Sequence, residues 1–163
     1  MSQEDTVFVR MGEFALAQGR GTLAALGLGS CVAVILHDPT VQVGALAHVL
    51  LPVQSLSRLH SSPTRTADMA IPLVVAQMTQ RGAKLESTVA NLIGGGTMFG
   101  DLLPAGSVHI GERNAQACRD TLREVGIPVV AEAVGGRSSR SVWFEVGSGT
   151  VTVRVVGEEP VVL

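Results

Sequence analysis

The chain of 163 residues is 46% apolar and 16% charged with a formal net charge of −2, a balance that excludes intrinsic disorder and lets about 70% of the extended surface be buried. It carries no Lys/Arg cluster of the kind that marks a nucleic-acid binder, and no run approaches the roughly 18 apolar residues of a membrane span. Met1-Ser2-Gln3-Glu4-Asp5 is acidic where a secretion signal would be basic, so the expectation is a cytoplasmic protein forming a single domain over residues 1–163.

In chain order, Val7-Phe8-Val9 and Phe14-Ala15-Leu16 read as short strands. Thr22 to Leu28 is apolar and runs into Gly27-Leu28-Gly29, a turn signal. Cys31 to Leu36 and Val43 to Leu51 are apolar on both faces, which suits strands buried between layers. The polar, serine-rich segment Gln54 to Thr64 divides this strand-rich block from one that alternates helix and strand. Thr66 to Arg81 is helical in composition, with Pro72 expected to kink or restart the helix. Thr88 to Ile93 reads as a strand entering Gly94-Gly95-Gly96. Glu112 to Val125 carries Ala115, Cys118, Leu122 and Val125 as one apolar stripe, and Gly126 and Pro128 supply the stop. Val129 to Val134, Ser141 to Val146 and Val151 to Val156 complete the strands. The pattern predicts an α/β (α+β) layered domain: a mixed, mostly antiparallel sheet core or sandwich flanked by two main helices.

Chemistry concentrates at Cys31. It follows Gly27-Leu28-Gly29-Ser30, where a tight turn can present a side chain and leave backbone N–H groups unbonded, as an oxyanion hole requires. The plainer reading is a small buried hydrophobe, the commoner fate of a thiol outside a disulfide. His48 adds to the first reading. A hairpin centred between Pro39 and Thr40 pairs residues whose numbers sum to 79 and sets Cys31 opposite His48, where Cβ atoms stand about 4.5–5.5 Å apart. An imidazole there can take the thiol proton and return it to a leaving group. A core histidine bonded to a carbonyl remains the alternative. Cys118 falls on the apolar stripe; His37, His60 and His109 show no metal-ligand spacing, so no metal is expected. Gly94-Gly95-Gly96-Thr97 lacks the Gly-Lys-Ser/Thr ending of a phosphate loop and reads as close backbone packing.

The run Leu26-Gly27-Leu28-Gly29-Ser30-Cys31-Val32-Ala33-Val34, then Asp38-Pro39 and Gly44-Ala45-Leu46-Ala47-His48-Val49-Leu50-Leu51-Pro52, resembles the signature of the chemoreceptor glutamine deamidase family, CheD. Ala67-Asp68, Gly94 to Phe99, Ile110-Gly111-Glu112-Arg113-Asn114 and Gly135-Gly136 leading to Arg140-Ser141-Val142 continue the resemblance in the same order, over roughly Gly12 to Val156. It implies Cys31 as nucleophile, His48 as general base, oxyanion donors in the backbone at Ser30 and Cys31, and a site shaped by Gly27, Gly29, Gly95 and Gly96. The family's third triad member is a threonine six residues before the cysteine; here that position is Ala25. Its main-chain carbonyl is expected to orient the histidine instead, as a carbonyl does in related deamidating toxins, with activity retained. The implied substrates are glutamine side chains on the cytoplasmic helices of methyl-accepting chemoreceptors, and the implied partner is a CheC-type phosphatase. No cofactor is implied. A weakly catalytic protein that regulates the phosphatase or receptor by binding is the second expectation.

Overall fold

The computed structural model describes residues 5–52, 63–98 and 109–163. Two five-stranded sheets and two helices form an α+β layered fold. The strands are β1 (Thr6–Phe8), β2 (Phe14–Gln18), β3 (Thr22–Leu28), β4 (Val32–Asp38), β5 (Val43–Val49), β6 (Val89–Gly94), β7 (Val129–Val134), β8 (Arg140–Glu145), β9 (Thr150–Val155) and β10 (Val161–Val162); the helices are α1 (Ala67–Gln80) and α2 (Ile110–Val125). One sheet has the order β1-β3-β8-β9-β10, the other β2-β5-β4-β6-β7. Only β1 with β3 and β6 with β7 pair in parallel among these strands; the other neighbours are antiparallel.

The central strands β4 and β5 are buried at every position, because each of their faces meets a different layer. Val32, Val34, Leu36, Ala45, Ala47 and Val49 pack against Ile71, Val74 and Met78 of α1 and Cys118 and Leu122 of α2. The alternate residues Ala33, Ile35 and Leu46 pack with Leu23, Ala25, Leu28, Val142 and Phe144 of the other sheet. This period of two yields three layers: sheet, sheet, helices.

Three details differ from expectation. The β4–β5 register pairs Ala33 with His48 and Val32 with Val49, so paired numbers sum to 81, not 79. The turn occupies Pro39 to Gln42, with Gln42 at φ 50°, and Asp38 accepts hydrogen bonds from both the N–H and the Oγ1 of Thr40; that capping centres the hairpin one residue later. The two-unit change keeps every side chain on its expected face. Helix α1 continues through Pro72 without restarting there. Helix α2 begins at Ile110, two residues before the expected start at Glu112, and closes at Gly126 in the left-handed conformation that glycine tolerates (φ 84°).

Candidate active site

Cys31 sits half-buried at the entry to β4, on the face that looks toward the other sheet. Its loop is held from four directions. Gly27 N–H donates to Ser141 Oγ at 3.0 Å, and Gly96 N–H donates to the Gly29 carbonyl at 2.8 Å. Asn114 Nδ2 donates to the Ser30 carbonyl at 2.9 Å, and Gly95 N–H to the Cys31 carbonyl at 2.8 Å. The approach of the Gly94–Gly96 segment is so close that a Cβ at Gly94 would lie 2.1 Å from the Cys31 carbonyl oxygen, and one at Gly111 would lie 2.2 Å from that of Gly96. These glycines thus serve backbone packing between the nucleophile loop, β6 and the start of α2. Arg140 steadies the far side by donating to the carbonyls of Ala133 and Gly135.

His48 is buried on the same sheet face. Its N–H donates to the Glu13 carbonyl at 3.0 Å, its carbonyl accepts from Gly12 at 2.9 Å, and its Nδ1 lies 3.0 Å from the Val9 carbonyl. A carbonyl only accepts, so Nδ1 carries the proton and Nε2 is left with a lone pair. Nε2 has no partner among the described residues. Burial lowers the pKa of His48, against the opposing pull of the Val9 carbonyl and the Glu13 charge. Burial raises that of the Cys31 thiol, partly offset by its own backbone N–H. Both directions favour the uncharged forms, thiol and imidazole.

The structure brings Cys31 and His48 to one face, but as diagonal rather than directly opposed neighbours: Ala33 is the residue paired with His48, two residues beyond Cys31, and diagonal positions stand about 7–8 Å apart. No hydrogen bond joins them among the described residues. The carbonyl at His48 Nδ1 is that of Val9, which corrects the role expected of Ala25. The reason is topological. Strand β1 lies alongside β3, and Val9 N–H donates to the Ala24 carbonyl at 2.7 Å, which inserts Val9 between β3 and the imidazole. Ala25 itself is core, 1% exposed and paired with Val142.

Ser30 and Cys31 N–H groups make no hydrogen bond to another described residue. Beside Ser30 opens a cavity of about 250 Å³ lined by Ser30, Gly96, Thr97, Met98, His109, Ile110 and Gly111. Cys118 is packing: it is fully buried in the helical stripe, and burial pushes its thiol up to about 12. His37 bonds the Val146 carbonyl at 2.9 Å and meets Phe144 edge-on. His60, Phe99 and most of the Gln54–Thr64 segment lie outside the described residues. Among the described residues no His, Cys, Asp and Glu cluster could hold a metal ion, and no helix is long and apolar enough to cross a membrane.

Sequence reasoning gives no role to Val9, Asn114 or Ser141, although the last two fall within the motifs of the family resemblance. Val9 acts through its backbone, which leaves no mark in residue type. Asn114 had a signal, a polar residue on the buried face of an amphipathic helix.

An α+β layered domain that brings one half-buried cysteine and one carbonyl-oriented histidine to a common sheet face defines the class. Residues 50–155 match the model of the family described as CheD, chemotactic sensory transduction. The chain is 38% identical over 149 residues to the Chemoreceptor glutamine deamidase CheD of Thermotoga maritima, covering 91% of each. It is 40% identical over 153 residues to the probable chemoreceptor glutamine deamidase CheD of Moorella thermoacetica, covering 93% of this chain and 91% of that one. For the Pyrococcus horikoshii protein of the same description the identity is 35% over 156 residues, covering 96% of each. The chain belongs to the CheD family.

Proposed function

We propose that this protein deamidates glutamine side chains of methyl-accepting chemoreceptors to glutamate, with Cys31 as nucleophile and His48 as general base. The observation that carries the reading is the Nδ1–Val9 contact: it fixes the imidazole tautomer whose Nε2 can accept a proton, on the sheet face that also bears Cys31. Family membership supplies the substrate, since the relatives are described as chemoreceptor glutamine deamidases.

In the reaction His48 Nε2 takes the Cys31 proton as the thiolate attacks the carboxamide carbon. Charge develops on the carboxamide oxygen, and the N–H groups of Ser30 and Cys31 are the donors for it. The imidazolium gives its proton to the departing nitrogen, ammonia leaves, and a thioester joins Cys31 to the substrate acyl group. Water then loses a proton to His48 and attacks the thioester, and Cys31 leaves as thiol with glutamate as product. The residues used are all supplied by this chain. The reading places the protein in the cytoplasm, where the receptor helices lie.

Purified protein incubated with a receptor cytoplasmic fragment and followed by mass spectrometry tests this. Gln-to-Glu conversion abolished by Cys31→Ala and by His48→Ala supports it; conversion that survives Cys31→Ala overturns it. A second reading draws on the missing hydrogen bond between Cys31 and His48: a weakly catalytic protein that regulates a CheC-type phosphatase or the receptor by binding. Binding to either with no conversion by the unaltered protein selects it.

A further inference from the structure

Asn114 lies on the inner face of α2 and is 0% exposed. Both hydrogens of its amide are used, one on the Ser30 carbonyl at 2.9 Å and one on the Leu50 carbonyl at 2.7 Å. Its Oδ1 is buried without a partner among the described residues. A buried polar group is costly unless hydrogen-bonded; an apolar residue here would remove the orphaned oxygen but would also take the amide donor from the Ser30 and Leu50 carbonyls.

What the amide grips is informative. Leu50 lies two residues beyond His48, and Ser30 immediately precedes Cys31, so one side chain ties the strand bearing the base to the loop bearing the nucleophile. The Ser30 carbonyl and the Cys31 N–H belong to one peptide unit. In a planar trans peptide these two groups point in opposite directions, and there are no cis peptides among the described residues. Holding the carbonyl against α2 thus turns the Cys31 N–H away from α2. Gly96 does the same to the preceding unit: its grip on the Gly29 carbonyl turns the Ser30 N–H outward. Successive N–H groups released in this way make an anion-binding concavity.

We propose that Asn114 is a positioning residue, which orients the Ser30–Cys31 peptide so that its N–H meets the oxyanion formed from the substrate carboxamide. The inference rests on the Cys31–His48 reading above and adds to it a residue that touches neither substrate nor reacting atoms.

The test separates oxyanion stabilisation from thiol reactivity. For Asn114→Ala, deamidation of a receptor cytoplasmic fragment loses about 10- to 100-fold in kcat while KM stays within about twofold. Alkylation of Cys31 by iodoacetamide, a displacement that forms no oxyanion, stays within about twofold of the unaltered protein. Unchanged kcat, or alkylation that falls in step with kcat, overturns the proposal. Should Asn114→Ala fail to fold, Asn114→Asp provides the second arm. Its carboxylate has no donor for the two carbonyls, whereas its acid form has one, so kcat relative to the unaltered protein rises as pH is lowered from about 8 to about 6; a flat ratio overturns the proposal. If the unaltered protein converts no glutamine, the deamidase reading falls and the inference falls with it. If it converts glutamine through Cys31 and the Asn114 variants match it, only the inference falls.

Discussion

The imidazole of His48 is held at Nδ1 by the main-chain carbonyl of Val9, 3.0 Å away. The same short stretch of chain grips the His48 backbone on both sides, through Gly12 and Glu13. Three hydrogen bonds with residues 9–13, one to the imidazole and two to the backbone, therefore fix one residue of β5.

Because Nδ1 already has its acceptor, a threonine at position 25 has nothing to restore. Ala25→Thr is expected to change kcat by less than about threefold. Position 25 is 1% exposed in the inter-sheet core, so the extra atoms and the unpartnered hydroxyl are expected to cost about 1–3 kcal/mol of stability. Deamidation kinetics and chemical denaturation of the same variant check both halves.

Stability should fall as pH is lowered through the ordinary histidine range. Burial holds His37 and His48 below their usual pKa of 6.5. Below about pH 6.5 the unfolded chain thus binds more protons than the folded one, and lowering pH favours unfolding. Urea midpoints at pH 7.5, 6.5 and 5.5 (roughly one unit either side of the unfolded value) should decline in that order. His37→Leu should flatten the decline, since one of the two groups no longer titrates. A midpoint that rises on acidification would contradict the pKa directions.

Asp38 responds in a lower window. Burial favours its neutral acid, but bonds from Thr40, Lys84 and Ser87 outweigh that and hold the carboxyl at about 2 instead of 3.8. The stability this supplies is present above about pH 4 and is lost as pH falls toward about 2, on the order of 2 kcal/mol. Asp38→Ala should lose at least that much at pH 7, and its unfolding free energy should vary less with pH between about 4 and 2.

The two thiols should react very differently. Cys31 is half-buried with a raised pKa, and Cys118 is fully buried and pushed up to about 12. Iodoacetamide should modify one cysteine per native chain, and faster as pH rises toward the raised thiol pKa, because the thiolate is the nucleophile. Peptide mapping should find Cys31 alkylated in the native protein and Cys118 only after denaturation.

Gly94→Ala is expected to remove activity and destabilise the fold by about 2 kcal/mol or more. Its φ is 116°, and the new Cβ would lie 2.1 Å from the Cys31 carbonyl oxygen. Loss of conversion with a lowered melting temperature is the expected result; an active, equally stable variant would mean that the loop can withdraw from Cys31.

Most strands and both helices were legible because alternation and the 3.6-residue stripe are local properties of the chain. The face shared by Cys31 and His48 was permitted by the sequence but not fixed by it, since an odd change in the turn would have separated them; the observed register differs by an even number and keeps them together. Their exact opposition was not legible. It depends on where the turn closes, and the Asp38–Thr40 hydrogen bonds move that point by one residue. Strand β10, two exposed residues long, has no pattern to read. The partner of His48 was misplaced at Ala25 because a strand from earlier in the chain had to be inserted beside β3, and sequence periodicity says nothing of which strands become neighbours.

Orientation of His48 by a carbonyl has a consequence for how this site can vary. A side-chain partner is lost by a single substitution, whereas the oxygen of Val9 is present whichever amino acid occupies that position. Constraint is thereby lifted from position 25 and transferred to the path of the backbone. Proline is the residue that position 9 should not accept, since the Val9 N–H is what anchors the segment to Ala24.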